Sequence, residues 1–302
     1  MKFRFCLFQV FLTCWCIVCF APAEAEWQKL VRGSVALYCH DGDMRYGERV
    51  ISIVQENLSQ IAGDLGLSSF DEVKVIIASS EEEFNTLTGY QIPEWGVAAT
   101  DPEQAAIFLK SPYLSRPETD LRKVIIHELS HVVMGMALQK KQADRWFDEG
   151  FAQYEAEEKE IKGTILLTRS LLTGNIIWLN EVDSVLTFRR EKAALAYQVS
   201  YTAVQYLADT YGEDAIVKMI QSLRSGKDMD EALFLTIGIE FEDFQDQWYH
   251  TIKSKYLWYI FLDFPFLVSV GFVVLFFTAL FVTRRRVHKR KLMWDVEESY
   301  DY

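Results

Sequence analysis

The chain has 302 residues, half of them hydrophobic, and a formal net charge of −12. This composition excludes a disordered or low-complexity protein and is sufficient for one or two domains with a buried core. The acidic balance argues against a protein that wraps nucleic acid, because phosphate binding needs an excess of Lys and Arg.

The first residues have the features of a secretory signal peptide. Lys2 and Arg4 precede an apolar run that ends at Phe20, and an Ala-x-Ala sequence ends at Ala25. Positive charge, apolar run and small residues, in this order, are typical of a cleavable signal. We predict a signal peptide over residues 1–25, with an uncleaved membrane anchor as the alternative.

The front of the segment that follows is predicted to contain both strands and helices. Its expected elements are a strand at 34–39, an amphipathic helix at 44–65, a strand at 73–78 and a short helix at 80–87. Two short apolar runs, 96–100 and 105–109, follow as a hairpin or as two neighbouring edge strands. The second run is either a buried strand or an edge to which an extended peptide can add.

The back of the same segment is predicted to be helical. Helices are expected at 118–139, 147–159, 193–211, 214–222 and 241–256. Ser115 and Glu118 are expected to form a capping box at the start of the first of them. A strand-rich front followed by a helical back indicates an α+β domain.

The predicted helix at 118–139 carries the sequence His127-Glu128-Leu129-Ser130-His131. Residues i and i+4 share one face of a helix, so both imidazoles can bind the same metal ion. Glu128 then lies beside the ion as a general base. The alternative is a pair of surface histidines with a solvated glutamate.

A second motif, Trp-Phe-Asp-Glu-Gly-Phe-Ala, occupies residues 146–152. Catalytic zinc takes three protein ligands and keeps one position for water. A turn near 140–144 would bring Glu149 beside the two histidines. We therefore predict one Zn²⁺ bound by His127, His131 and Glu149, with an ordinary first-turn acid as the alternative for Glu149.

Together these motifs resemble those of the gluzincin metallopeptidases, and the second resembles a segment of the peptidase MA-like family. The resemblance extends over residues 34–256 and implies a zincin-like, thermolysin-like gluzincin domain with peptidase activity. The Gly-x-Met-Glu-Asn strand of the related aminopeptidases has no counterpart before His127. This difference favours an endopeptidase over an aminopeptidase.

The resemblance also implies roles for single residues. Zinc lowers the pKa of its bound water to about 7, and Glu128 takes the proton and passes it to the leaving amine. In similar enzymes a Tyr or His of the helical half donates to the tetrahedral oxyanion. Tyr197 is our first choice for this donor and Tyr201 our second, with helix packing as the alternative for both.

The end of the chain predicts a membrane anchor. Residues 264–282 carry no charge and are long enough to cross a hydrocarbon core. A basic cluster from Arg284 to Lys291 follows at once, which keeps this side of the span in the cytoplasm. The expected parts are an exported domain at 26–257, a transmembrane region at 258–283 and a cytoplasmic tail at 284–302.

These features predict a membrane-anchored zinc peptidase that acts on peptides or proteins outside the membrane. The competing hypothesis is an anchored, non-catalytic binding or assembly protein with the same fold. After the signal peptide only Cys39 remains, so no disulfide can form within the chain. An exported domain without disulfides favours the envelope of a bacterium.

Overall fold

The structure is a computed structural model that describes residues 26–90, 92, 96–114, 120–157, 161–187, 190–257 and 264–298. The predicted signal peptide, residues 1–25, lies outside the described residues. So do Ser115 and Glu118, the expected capping box.

Within the described residues, five strands form one mixed sheet in the order β1-β2-β3-β5-β4. The strands are β1 Trp27–Arg32, β2 Val35–His40, β3 Val73–Ala78, β4 Ala98–Asp101 and β5 Ala106–Lys110. The three inner strands β2, β3 and β5 run parallel, while β1 and β4 are antiparallel to their neighbours. β1 was not predicted, because none of its residues is buried and its sequence therefore lacks a core pattern.

The two runs after residue 96 form a hairpin, the first of the two predicted arrangements. β5 pairs with β3 on one side and with β4 on the other, so the run at 105–109 is not an edge strand. The proposal that this run receives an added peptide strand is therefore wrong. The edge at this end of the sheet is β4.

Helices connect the strands and form the back of the molecule. They are α1 Met44–Asp64, α2 Glu81–Leu87, α3 Leu121–Ala137, α4 Arg145–Glu155, α5 Ile161–Thr173, α6 Arg190–Tyr211, α7 Asp214–Arg224, α8 Met229–Ile237, α9 Phe241–Tyr256 and α10 Phe264–Glu298. The strand-rich front and helical back are confirmed. α5, α8 and a 3₁₀ segment at Leu179–Thr187 were not predicted. In α5 the Ile, Thr and Gly residues have low helix propensity, which hides the helix in the sequence.

α3 joins the two halves, since it packs against α1, β4 and β5 on one side and against α4 on the other. Its residues Ile125, Leu129 and Val132 are fully buried in the main core. α4 and α6 approach so closely that a Cβ on Gly150 would lie 2.4 Å from the Ser200 carbonyl oxygen. The glycine of the second motif therefore allows α4 to pack against the backbone of α6.

In the described part of the chain, one helix is long and apolar enough to cross a membrane. This segment, Leu267–His288, has a mean hydropathy of 2.1, and none of its apolar window is buried in the structure. It overlaps the predicted span at 264–282 and continues into the basic residues that follow.

Glu155, at the end of α4, gives the fold a testable pH dependence. Burial and the nearby charges of Asp64 and Glu213 raise the pKa of the Glu155 carboxyl from 4.5 to about 7. Between pH 4.5 and about pH 7, Glu155 is therefore ionised in the unfolded chain and protonated in the folded one. The free energy of unfolding falls as the pH rises through this range.

We expect Glu155→Gln to stabilise the protein by about 2 kcal/mol at pH 8, below the full shift because solvent screens part of it. At pH 5 the gain should be small, because Glu155 is then largely protonated in the folded state. Urea unfolding at both pH values measures the difference, with the exposed Asp246→Asn on α9 as a control. An equal effect of Glu155→Gln at the two pH values would contradict this prediction.

Candidate metal centre

The two histidines are positioned by the way α3 begins and packs. The Asp120 side chain caps the helix by accepting from the backbone NH groups of Arg122 and Lys123, at 3.1 and 3.4 Å. The helix therefore begins three residues later than predicted. Its buried apolar face lies against the core, and His127 and His131 lie one turn apart on the face that borders α4.

Glu149 reaches the histidines because the chain reverses after α3. Gln139 and Lys140 adopt left-handed backbone conformations, with φ of 54° and 67°, and α4 then runs back along α3. Trp146 and Phe147 anchor the start of α4 in the core. The expected return helix is thus present, and Glu149 is only 6% exposed.

The structure brings the three predicted ligands together. The two Nε2 atoms of His127 and His131 lie 3.3 Å apart, and Glu149 Oε2 lies 3.5 Å from each of them. Tetrahedral coordination at about 2.05 Å places ligand atoms about 3.3 Å from one another. Two imidazole nitrogens and one carboxylate oxygen at these separations therefore form a group that fits a Zn²⁺ ion.

Two further side chains orient the ligands. Asp148 Oδ1 lies 2.9 Å from His131 Nδ1, which leaves His131 Nε2 facing Glu149. Arg145 Nη2 lies 3.2 Å from Glu149 Oε1, so the other oxygen of that carboxylate faces the histidines. Sequence reasoning missed both residues, although Asp148 stands within the second motif.

The charges of the site keep its carboxylate ionised. Burial raises the pKa of the Glu149 carboxyl, but the hydrogen bonds and charges of His127 and His131 outweigh burial and hold it well below its usual range. Burial lowers the pKa of the His131 imidazole, because burial disfavours its charged form. Asp148 and Glu149 outweigh burial and raise this pKa well above its usual range. Since a metal ion must displace the imidazole proton, metal binding at this site should strengthen as the pH rises.

Glu128, the predicted base, is held by the edge of the sheet. The Thr100 hydroxyl on β4 donates to Glu128 Oε2 and lies 3.3 Å from the Glu128 carbonyl oxygen. Both residues border the cleft that contains the three predicted ligands. Thr100 was not identified from the sequence.

The cleft measures about 810 Å³ and lies between β4, α3, α4 and α6. Tyr197 on α6, the first choice for the oxyanion donor, borders it. Tyr201, the second choice, is 2% exposed and lies in the protein interior near Tyr154 and Tyr256. Burial is the main reason why the pKa of the Tyr201 hydroxyl is raised. The structure thus brings Tyr197, and not Tyr201, to the cleft.

Residues 53–254 match the sequence profile of the Peptidase MA superfamily. The chain belongs to this superfamily. The resemblance inferred from the two motifs is therefore confirmed, and the matched segment includes α3, α4 and the cleft. A search of curated proteins gives no match. Peptidase MA proteins are typically metal-dependent proteases, in agreement with the His-His-Glu group of this member.

The contact between Asp148 and His131 predicts the behaviour of a variant of this Peptidase MA protein. Asp148→Asn removes the charge that orients the His131 ring and should weaken zinc binding by about 10- to 100-fold. Competition with a chromogenic zinc chelator measures the affinity, and Asp246→Asn removes an exposed carboxylate elsewhere as a control. Equal zinc affinity in wild type and Asp148→Asn would show that this contact does not support the site.

Proposed function

We propose that this Peptidase MA protein is a membrane-anchored, zinc-dependent peptidase, an endopeptidase that cleaves peptide bonds on the outer side of the membrane. The observation that carries the proposal is the separation of the three ligand atoms, which suits tetrahedral zinc. His127, His131 and Glu149 would hold the ion. When bound, zinc polarises the scissile carbonyl and lowers the pKa of the attacking water.

Glu128 serves as the general base and then as the general acid. It accepts a proton from the attacking water while the water oxygen bonds to the carbonyl carbon. It then gives this proton to the amine nitrogen as the carbon–nitrogen bond breaks. The hydrogen bond from Thr100 supports this role, because it holds the Glu128 carboxylate in one position at the cleft.

Tyr197 serves as the donor to the oxyanion. Its place on the wall of the cleft supports this role, because an oxyanion forms there when water attacks the substrate. A donor that is already oriented stabilises the charge without reorganisation during the reaction.

The edge strand β4 serves as the binding surface for the substrate backbone. β4 pairs only with β5 among the described residues, and Ala98, Ala99 and Thr100 border the cleft. An extended peptide can therefore add to this edge through main-chain hydrogen bonds. Binding of this kind does not require a free peptide terminus, which supports endopeptidase action.

The proposed topology is supported by the apolar segment Leu267–His288 and by the basic residues at its end. The basic side of a span stays in the cytoplasm, so the catalytic domain would lie outside. A protease added to intact cells or spheroplasts is expected to digest the catalytic domain and to spare a C-terminal tag. Loss of the tag with survival of the domain would reverse this orientation.

Removal and return of the metal tests the proposed activity. The full chain in detergent is stripped with a chelator, dialysed and supplied with zinc, and cleavage of an unfolded protein substrate is followed at each stage. We expect cleavage to stop after stripping and to return with zinc. Zinc binding without cleavage at any stage would favour an anchored binding or assembly protein.

A further inference from the structure

Two glutamines at the cleft have deeply buried side chains. Gln153 on α4 and Gln198 on α6 are each only 4% exposed, and both border the cleft. Neither side chain makes a hydrogen bond within the part of the chain that the structure describes. Side-chain amides buried to this extent are usually bonded within the protein. These two reach only the cleft, so a ligand that enters the cleft can complete their hydrogen bonds.

Both glutamines lie next to the candidate metal centre. Gln153 follows Glu149 by one helical turn, so the two side chains lie on the same face of α4. Gln198 follows Tyr197, the proposed oxyanion donor. Gly163 on α5 packs against the end of the Gln198 side chain, where a Cβ would lie 2.6 Å from the amide oxygen. The missing side chain at Gly163 thus makes room for the Gln198 amide.

We infer that Gln153 and Gln198 form a subsite for one neutral polar side chain of the substrate, above all the carboxamide of Asn or Gln. The inference rests on the proposed peptidase function. Because both glutamines are almost fully buried, a substrate side chain reaches them more readily than its backbone does.

The chemistry of the amide group selects the substrate side chain. An amide offers both a donor and an acceptor, and a second carboxamide can pair with both. A carboxylate only accepts and an ammonium only donates, so each of them leaves part of the subsite unpaired. A leucine side chain leaves all of these groups unpaired, although it is similar in size to Asn or Gln.

The test compares peptides that differ in one side chain. Gln, Asn, Leu or Glu is placed at each position around the cleaved bond in turn, and kcat/KM is measured for the full-length protein in detergent. At one position we expect the carboxamide peptides to be preferred over the Leu peptide by about 10- to 100-fold.

Two variants probe the subsite, and a third serves as a matched control. The double variant Gln153→Leu, Gln198→Leu should remove the preference for carboxamides or reverse it. Gly163→Ala should reduce the preference by displacing the Gln198 amide, although neither glutamine is changed. Gln142→Leu replaces a glutamine that also borders the cleft but is exposed to water, and it should leave the preference as in wild type.

Binding provides a second readout that does not depend on hydrolysis. Anisotropy of the labelled peptides is measured in zinc-loaded Glu128→Gln protein, with and without the two Leu substitutions. If wild type cleaves nothing but carboxamide peptides still bind preferentially through the two glutamines, the peptidase function fails and the subsite stands. A preference that is absent, or unchanged in the double variant, in both cleavage and binding would overturn the subsite.

Discussion

Replacement of Glu128 by Gln should lower peptide hydrolysis by about 10²- to 10⁴-fold while zinc remains bound. The amide has nearly the shape of the carboxylate, and its oxygen can still accept from the Thr100 hydroxyl that now holds Glu128. It cannot take a proton from water, so only the proton transfer is lost. Cleavage rates and elemental analysis of the same protein preparation measure the two effects separately.

The matched control for this variant is Glu103→Gln. Glu103 also borders the cleft, but its side chain is exposed and lies outside the proposed proton path. The Glu103→Gln variant should cleave peptides at close to the wild-type rate. Full hydrolysis by Glu128→Gln would mean that another group accepts the proton and that the proposed mechanism is wrong.

Replacement of His131 by Ala should remove both zinc and hydrolysis. In the proposed site His131 supplies one of three ligand atoms, and its Nδ1 is held by Asp148. Loss of a partner that only orients a ligand weakens metal binding by roughly 10- to 100-fold. Loss of the His131 imidazole itself should weaken zinc binding by more than this. Glu149→Gln should retain a weaker ligand, so zinc is lost only in part and added zinc restores some cleavage.

Elemental analysis of the purified full chain measures the loss of zinc. His250→Ala is the control, because His250 is an exposed residue of α9 outside the cleft. The His250→Ala variant should bind as much zinc as wild type. Equal zinc in wild type and His131→Ala would remove the metal site from the three predicted residues.

The sequence alone indicated that His127, His131 and Glu149 lie together, because their pattern is local. His127 and His131 share a helix face by periodicity alone, and a single turn between helices brings Glu149 to them. The strand at 73–78 and the helix at 241–256 were predicted with the bounds that the structure shows. Strong apolar periodicity accounts for this agreement, since the core imposes it on the sequence.

The supporting contacts could not be predicted, because they depend on how distant elements meet. Thr100 precedes Glu128 by 28 residues, and only the pairing of β4 with the sheet brings it to α3. The contact of Asp148 with His131 depends on the angle at which α4 returns along α3. Arg145 is the exception, because it contacts Glu149 one turn further along the same helix. The choice of Tyr197 over Tyr201 likewise needed the packing of α6, which buries one ring and leaves the other at the cleft.

The error at 105–109 has a similar cause. An apolar run of five residues suits an edge strand or an inner strand, and only the strand order distinguishes them. β5 is inside the sheet, and its hairpin partner β4 forms the edge at the cleft. The strand proposed to bind the substrate backbone is therefore β4 and not β5.

Digestion of a mixed peptide library is the most direct test of zinc-dependent peptide hydrolysis by this protein. The full chain, loaded with zinc, and its Glu128→Gln variant are incubated with the same library, and the products are identified by mass spectrometry. We expect new internal cleavage sites with the wild type and almost none with the variant. Zinc-loaded wild type that leaves every peptide intact would contradict the proposed function, as would the same cleavage sites produced at the same rate by both proteins.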